Sequence, residues 1–490
     1  MFKVQGSRLK VQSSKFKVQS SKDTIAALAT PAGGAIGVIR LSGPDAIAIA
    51  DRLFVPTKGS SGNPHPSLRE GLIRTARYGT LRSPAGQDID DVVATVYRAP
   101  HSYTGEDCVE LSCHGSAYIL RTALQALIDA GARQALPGEY TQRAYLNGKM
   151  DLSQAEAVAD LVAATNRATQ QMALSQLKGH FSSALALLRE KLLKMTSLLE
   201  LELDFSDHEE LEFADRTELR QLAEDIDHRI TSLADSFRTG QALKNGIPVA
   251  IVGKTNVGKS TLLNALLHDD RAIVTDIPGT TRDTLEDCID IHGLTFRFID
   301  TAGLRHTDDR VEQIGIERTF QAIDRATIVL WIVDGDPTAE ETASMQARTK
   351  DKHLIIVHNK VDLDSDLRAK VTLGKALTPP LVGGAGGGAF ISAKLGTGLS
   401  ALEDFLYRTA DIPEVNENSV IVTSARHYAA LTAAHDALTR VLNGMADGLP
   451  SDLLAEDLRQ ALDALADITG GQITPQETLN NIFAHFCIGK

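Results

Sequence analysis

Cysteine is scarce in this chain: Cys108, Cys113, Cys288 and Cys487 are the only four in 490 residues. No pair has zinc-finger spacing, and so low a density excludes a disulfide-stapled scaffold. It fits a reducing compartment and predicts a cytoplasmic protein. Long apolar runs are missing too. IVLWIV at 328–333 falls far short of the roughly 20 residues of a helical membrane span. Positive charge is in deficit, with 50 Lys and Arg against 63 Asp and Glu and a net charge of −13. That excludes broad, non-specific nucleic-acid binding, because phosphate neutralisation needs exposed cations. A nucleic-acid substrate held by a small patch or by a partner stays open. The ending CIGK has the spacing of a prenylation box but lacks its aliphatic residue and its usual final residue, so that reading is set aside.

What is present points to a multidomain protein of about three cores. Residues 1–22 repeat KVQSSK, with six basic residues and no acidic one. A targeting peptide or basic arm is one reading. A low-complexity stretch with little structure, upstream of a misplaced start codon, is the one expected. From 23 to 142, AIGVIRLSG (35–43), DVVATVYRA (91–99) and DCVELSC (107–113) read as strands. A glycine-capped helix over 117–131 follows, giving an α+β domain. From 143 to 246 the pattern is helical, with a capping box expected at Ser153 and Glu156 and an amphipathic run over 184–203. Residues 247–410 alternate strand and helix as a parallel α/β sheet does. Within them VGGAGGGA (382–389) reads as a glycine-rich surface loop without chemistry. Residues 411–490 are helical again, so the α/β domain is inserted in an all-α one. Leu479, Ile482, Phe483 and Phe486 form one apolar stripe, which predicts that the tail bearing Cys487 is docked.

The chemistry sits in the inserted domain. GKTNVGKS (253–260) follows the apolar strand IPVAIV and precedes TLLNALL, the context a phosphate-binding loop needs. Backbone N–H groups from Asn256 through Val257 and Gly258 to Thr261 wrap the β-phosphate. Lys259 bridges the β- and γ-phosphates, and Ser260 puts a hydroxyl on Mg²⁺. The stretch Thr275, Asp276, Ile277, Pro278, Gly279, Thr280 and Thr281 is a loop able to close over the γ-phosphate, with Thr281 completing the Mg²⁺ shell. In DTAG (Asp300, Thr301, Ala302, Gly303), Asp300 reaches Mg²⁺ through water and the Gly303 amide senses the γ-phosphate. NKVD (Asn359, Lys360, Val361, Asp362) offers a carboxylate to guanine N1 and N2, which adenine cannot satisfy. The backbone of Ser392, Ala393 and Lys394 reads guanine O6. Five elements in order, each at a strand terminus, predict a Ras-like P-loop G domain that binds GTP.

Two catalytic parts are displaced from the Ras pattern. The water-positioning glutamine after D-x-x-G is here Leu304. Glu312, on a helix start beyond that loop, is either a carboxylate that swings in or an exposed helix-start glutamate. No arginine finger is evident. An amide oxygen at Asn256, with carbonyls from 275–280, could hold a monovalent cation that supplies the missing charge.

TIAALATPAGGAIGVIRLSG (24–43), SYTGEDCVELSCHG (102–115), PGEYTQRAYLNGKMDLSQAEAVADL (137–161), the G-domain motifs and the terminal FCIGK together resemble the MnmE (TrmE) family of tRNA uridine-5-carboxymethylaminomethyl modification GTPases, from Asp23 to Lys490. The resemblance implies a folate-binding and dimerisation domain at 23–142, helical parts at 143–246 and 411–490, and a G domain at 247–410. It implies a homodimer that works with an FAD-dependent partner of the MnmG (GidA) type as a heterotetramer. With a tetrahydrofolate one-carbon unit, such as 5-formyl-tetrahydrofolate, the pair would place an aminomethyl or carboxymethylaminomethyl group on C5 of the wobble uridine. The tRNA would be held largely by the partner. By position, Asn256, Thr275, Ile277 and Thr280 match a K⁺ site, Ser260 and Thr281 the Mg²⁺ ligands, and Glu312 the catalytic glutamate. Arg40, Glu110, Lys149 and Lys490 match folate contacts. Cys487 then lies beside the one-carbon unit as a nucleophile, or is a small apolar residue sealing the tail. PAGGAIG (31–37) and the absence of a proline after Phe205 depart from the family pattern. The competing readings are a regulatory GTPase of ribosome assembly and a folate-binding protein whose access GTP gates.

Overall fold

The computed structural model describes residues 23–57, 67–70, 75–204, 216–267, 286–299, 312–363, 377–378, 387–413, 416, 418–471, 479, 482–483, 486 and 489, with backbone only at 201–204, 312–318, 377–378 and 387. The basic leader at 1–22 lies outside them. The chain divides into two compact units, one of residues up to 159 with 469–490, the other of 160–468. That division follows contacts, whereas the division read from sequence follows the type of secondary structure.

The first unit is built on a seven-stranded sheet of β1 (Ile25–Leu28), β2 (Ile36–Ser42), β3 (Phe54–Pro56), β4 (Ala76–Arg82), β5 (Asp88–Tyr97), β6 (Cys108–His114) and β7 (Arg133–Gln134), in the order β3-β4-β5-β6-β2-β1-β7. The three expected strands are β2, β5 and β6. Side chains alternate across a strand. Ile39 and Leu41 of β2, with Val109 and Leu111 of β6, therefore turn to one face and pack with α1 (Ala46–Leu53) and α2 (Ala117–Asp129). Arg40 and Glu110 fall on the other face, directly opposite each other in register. The helix α2 ends before Gly131, whose φ of 113° supplies the expected glycine stop.

After α3 (Glu139–Leu146), α4 (Leu152–Ala163) starts one residue earlier than its expected cap. The cap is Asp151, not Ser153. Asp151 Oδ1 accepts from the Gln154 N–H at 2.9 Å, and Gln154 Oε1 accepts from the Asp151 N–H at 2.9 Å. Leu479, Phe483 and Phe486 are buried against Leu152 and Ala155, so the apolar stripe of the tail is docked as its spacing predicts.

The second unit holds helices α5 (Arg167–Leu177), α6 (His180–Asp204) and α7 (Arg216–Asn245), with Ala425–Ala446 and Ser451–Thr469 closing a helical core. Between α7 and Ala425 lies the second sheet: β8 (Ile247–Val252), β9 (Asp287–Ile291), β10 (Leu294–Ile299), β11 (Ile328–Val333), β12 (His353–His358), β13 (Leu377–Thr378) and β14 (Gly387–Phe390), ordered β13-β14-β12-β11-β8-β10-β9. The five central strands pair in parallel and the two edges antiparallel. All six residues of β11 are buried, as a strand covered on both faces requires. One expectation fails. Residues 387–389 of the glycine-rich run are not loop but part of β14, and Ala389 is fully buried. Pairing to β12 and β13 satisfies a backbone that carries almost no side-chain signal for strand.

Candidate functional site

Ligands of open α/β sheets bind beyond the carboxyl ends of the parallel strands. Among the described residues, three of the five nucleotide motifs lie there, and the strand that precedes DTAG in sequence ends there too. The phosphate-binding loop joins β8 to α8 (Lys259–Leu267), β10 ends at Ile299 immediately before Asp300, NKVD follows β12, and Ser392 follows β14. In the loop, Asn256 takes a left-handed φ of 64° and Gly258 a φ of 100°. Val257 between them is buried. Lys259 Nζ donates to the carbonyls of Gly253 and Lys254 at 2.9 and 2.6 Å, which holds the ammonium over the loop. Burial there lowers its pKa below the ordinary lysine value. Ser260 and Thr261 open α8, with the helix N-terminus behind them.

Asn359 joins this loop to the base-reading loops. Its Nδ2 donates to the Val257 carbonyl at 2.8 Å, and its Oδ1 accepts from the Ala393 N–H at 3.0 Å, both in buried surroundings. Asp362 Oδ1 accepts from Ser392 Oγ, which ties the two base-reading loops together. Val361 is buried and its N–H donates to the Ile391 carbonyl. Lys360 has a φ of 62° and its Nζ bonds Asp334 at 3.0 Å. The structure thus brings Asn256, Val257, Gly258, Lys259, Asn359, Asp362, Ser392 and Ala393 to one end of the sheet, with Lys394 beside them. A carboxylate and backbone amides set together suit the N–H donors and O6 of guanine.

Thr275, Asp276, Ile277, Pro278, Gly279, Thr280, Thr281, Asp300, Thr301, Ala302 and Gly303 lie outside the described residues. Glu312 is the first residue of helix Glu312–Arg325, and its side chain is likewise outside.

The first unit gathers a second set. Arg40 Nε and Nη2 both bond Glu110 Oε1, at 2.9 and 2.8 Å. The Arg40 guanidinium lies over the rings of Tyr103 and Tyr140, at 5.4 and 5.7 Å from their centres. Tyr140 is fully buried and donates to the Arg40 carbonyl at 2.6 Å. Burial pushes the hydroxyls of both tyrosines up in pKa, so they stay protonated donors at neutral pH. Lys149 Nζ donates to the Pro100 carbonyl at 2.9 Å, on the loop that also carries Tyr103. Sequence reasoning missed the two tyrosines. SYTGED and GEYTQR held them in view, but nothing in their spacing says that they share one cation.

Lys490 and Cys487 lie outside the described residues. Gly489, at φ 101°, sits so close to β1 that a Cβ on it would lie 1.9 Å from the Leu28 carbonyl oxygen. Ala27, next to Leu28, pairs with Arg40. Cys108 and Cys113 are buried, which pushes both thiols up to about 12 and makes them poor nucleophiles.

The same unit holds a charge network whose centre, Arg143 with Glu106 and Glu139, is buried and whose ends, Arg133 and Asp23, are partly exposed. Arg143 bonds Glu106, Glu139 and Asp23, at 3.1, 2.9 and 2.9 Å, and Arg133 bonds Glu139 and Asp23 at 2.6 and 2.8 Å. It holds α3 against the strands that carry Arg40 and Glu110.

Residues 24–149 match the family described as GTP-binding protein TrmE N-terminus, and residues 152–487 the MnmE helical domain. A protein of Bacteroides fragilis named tRNA modification GTPase MnmE is 51% identical over 473 residues, covering 96% of this chain and 99% of its own length. Proteins of the same name from Phocaeicola vulgatus and Flavobacterium johnsoniae are 49% and 46% identical, each over 96% of this chain and 99% of their own.

Proposed function

The chain belongs to the MnmE family of tRNA modification GTPases, and we propose that it hydrolyses GTP in a K⁺-dependent way to drive modification of the tRNA wobble uridine at C5. The observation that carries the nucleotide half is the Asn359 bridge, which ties the phosphate-binding loop to the loops beside Asp362.

In this reading Asp362 accepts from guanine N1–H and N2–H, and the backbone of the Ser392–Ala393–Lys394 loop reads O6. Lys259 leaves the loop carbonyls for the β- and γ-phosphate oxygens. Ser260 and Thr281 would hold Mg²⁺, while Asn256, Thr275, Ile277 and Thr280 would hold K⁺. Bound there, the two cations supply positive charge against the charge that spreads over the phosphoryl oxygens. Leu304 cannot orient water, so Glu312 is the carboxylate that does.

The Arg40–Glu110 pair beside Tyr103 suits a planar, multiply hydrogen-bonding ring, Lys149 and Lys490 its carboxylates, and Cys487 its one-carbon end. A bound tetrahydrofolate supplies the carbon. A homodimer with an FAD-dependent partner would complete the reaction on tRNA in the cytoplasm. Among the described residues no helix is long and apolar enough to cross a membrane. The domain division proposed is 23–142, 143–246 with 411–490, and the inserted 247–410.

Two measurements test this. GTP hydrolysis is expected to be faster in KCl than in NaCl at equal ionic strength, and equal rates would overturn the K⁺ assignment. A strain lacking the gene, complemented with wild type or Cys487→Ser, is read by nucleoside mass spectrometry of its tRNA. Failure of wild type to restore the C5-modified uridine would favour ribosome assembly instead. Restoration by wild type alone assigns Cys487 to the modification step. Restoration by both makes the tail a docked seal.

A further inference from the structure

The hairpin β9–β10 runs in sequence from the threonine-rich loop to DTAG, the two segments expected at the γ-phosphate. Its root is tied to a neighbouring helix. Glu286, just before β9, bonds Arg297 of β10 and also Arg325, the last residue of helix Glu312–Arg325. β10 pairs in parallel with β8, so its tip lies at the end of the sheet away from the phosphate-binding loop. Six residues of strand carry the chain about 20 Å across the sheet.

At that far end the tip meets the helical part of the same unit. His292 and Gly293 form a tight turn, both with positive φ. Gly293 O accepts from the Ala168 N–H of α5, and Thr295 Oγ1 accepts from Asn166 Nδ2 at 2.7 Å. Ala168 and Met172 of α5 are buried in one core with Ile289 and Ile291 of β9 and Phe296 of β10. His292 also bonds Asp404 at 2.7 Å and stands edge-on to Tyr407. Asn166 serves both sides. Its Oδ1 caps α5 by accepting from the Thr169 N–H at 2.8 Å, while its Nδ2 holds the hairpin.

We propose that the hairpin is a rod that carries nucleotide-dependent displacement at its root to the N-terminus of α5, and that Asn166 is the positioning residue at the receiving end. A two-stranded ladder is stiff along its length, and a hydrogen-bonded helix end has few ways to absorb a shift except by moving or fraying. The inference rests on the GTPase reading and adds the route by which the helical part is told of the nucleotide.

The experiment is hydrogen exchange of the α5 amides, residues 167–177, in the full chain with GDP or a non-hydrolysable GTP analogue. GTP binding and kcat are measured on the same samples. Wild type is expected to show a nucleotide-dependent difference. Asn166→Ser keeps a capping oxygen but cannot reach Thr295, and Thr295→Val removes the same bond from the other side. Each should shrink that difference about fivefold, the worth of one hydrogen bond near 1 kcal/mol, with kcat nearly unchanged. Asn166→Asp still caps and can accept from the Thr295 hydroxyl, so it should retain the difference. A purely structural role would alter exchange equally with either nucleotide. No difference in wild type that binds GTP, or a full difference in both Asn166→Ser and Thr295→Val, would overturn the inference. Wild type that does not bind GTP would overturn the GTPase reading and the inference with it.

Discussion

Asn359→Ala is the substitution whose consequence the geometry fixes most closely. The side chain is only 5% exposed and makes two bonds, to the Val257 carbonyl and from the Ala393 N–H. Alanine fills neither place. A buried polar group deprived of its partner costs about 1–3 kcal/mol, so the two together cost about 2–6 kcal/mol before any relaxation. A factor of ten in affinity is 1.4 kcal/mol, so the dissociation constant for GTP should rise by roughly 30-fold or more. The assay is titration with a fluorescent guanine nucleotide, with denaturant unfolding of the same protein alongside. A rise below about threefold, with unfolding unchanged, would refute the claim that this residue organises both loops. Gly258 offers an independent check. A Cβ there would lie 2.2 Å from Asn359 Nδ2, and φ is 100°. Gly258→Ala should therefore be severe in the wild-type background and milder when Asn359 is already alanine, because only backbone strain remains. Equal penalties in both backgrounds would show that the contact is not what makes the glycine necessary.

Three other outcomes follow from the first unit. For Glu139, burial raises the pKa, but the Arg133 and Arg143 guanidiniums and the Leu136 N–H outweigh it and leave the carboxyl below its ordinary 4.5. A depressed carboxylate contributes stability that is full above the unfolded value and lost as pH falls through the folded one. Unfolding free energy should thus decline below pH 4.5, less steeply in Glu139→Gln, and equal slopes would refute this. Burial pushes Cys108 and Cys113 up to about 12, so neither should react with a thiol reagent at pH 8 until the protein is unfolded. Mass-spectrometric labelling of either in the native state would contradict it. Gly489→Ala would drive a Cβ into the Leu28 carbonyl, so the last residues should be released by carboxypeptidase faster than in wild type, and an unchanged rate would argue that the tail is held elsewhere.

How much of this was legible in the sequence depends on what kind of constraint each residue answers to. The nucleotide motifs could be read because phosphate and guanine demand particular groups at particular spacings, and parallel strands put those groups at one edge. Arg40 entered only through the family resemblance, and its place opposite the core side follows from strand alternation once β2 is laid in the sheet. That Arg40 stands across from Glu110, 70 positions away, is a matter of register, which local patterning does not encode. The charge network around Arg143 is still less legible: Arg143 and Asp23 are 120 residues apart and their pairing exists only in the folded unit. The two local errors have local causes. DLSQAE contains two overlapping capping frames, and Asp151 prevails because its carboxylate accepts from both the Gln154 N–H and the Ser153 hydroxyl. GGA at 387–389 has almost no β propensity to read, yet Phe390 beside it stacks on His358 of the neighbouring strand at 4.7 Å and anchors the segment in the ladder.

The same distinction explains Asn359 and Asn166. Each is an asparagine whose amide nitrogen serves one element and whose oxygen serves another. Sequence identified Asn359 through its motif, since the base-reading loop has a fixed spacing. Asn166 sits in no motif, and only the strand turn folded against it reveals a second use for its amide. Aspartate preserves one of these arrangements and not the other. At 166 the partner is a hydroxyl that can reverse its role and donate, whereas at 359 the partner is a carbonyl that can only accept. The conservative change should therefore be tolerated at 166 and costly at 359, where a carboxylate would face the Val257 oxygen in buried surroundings.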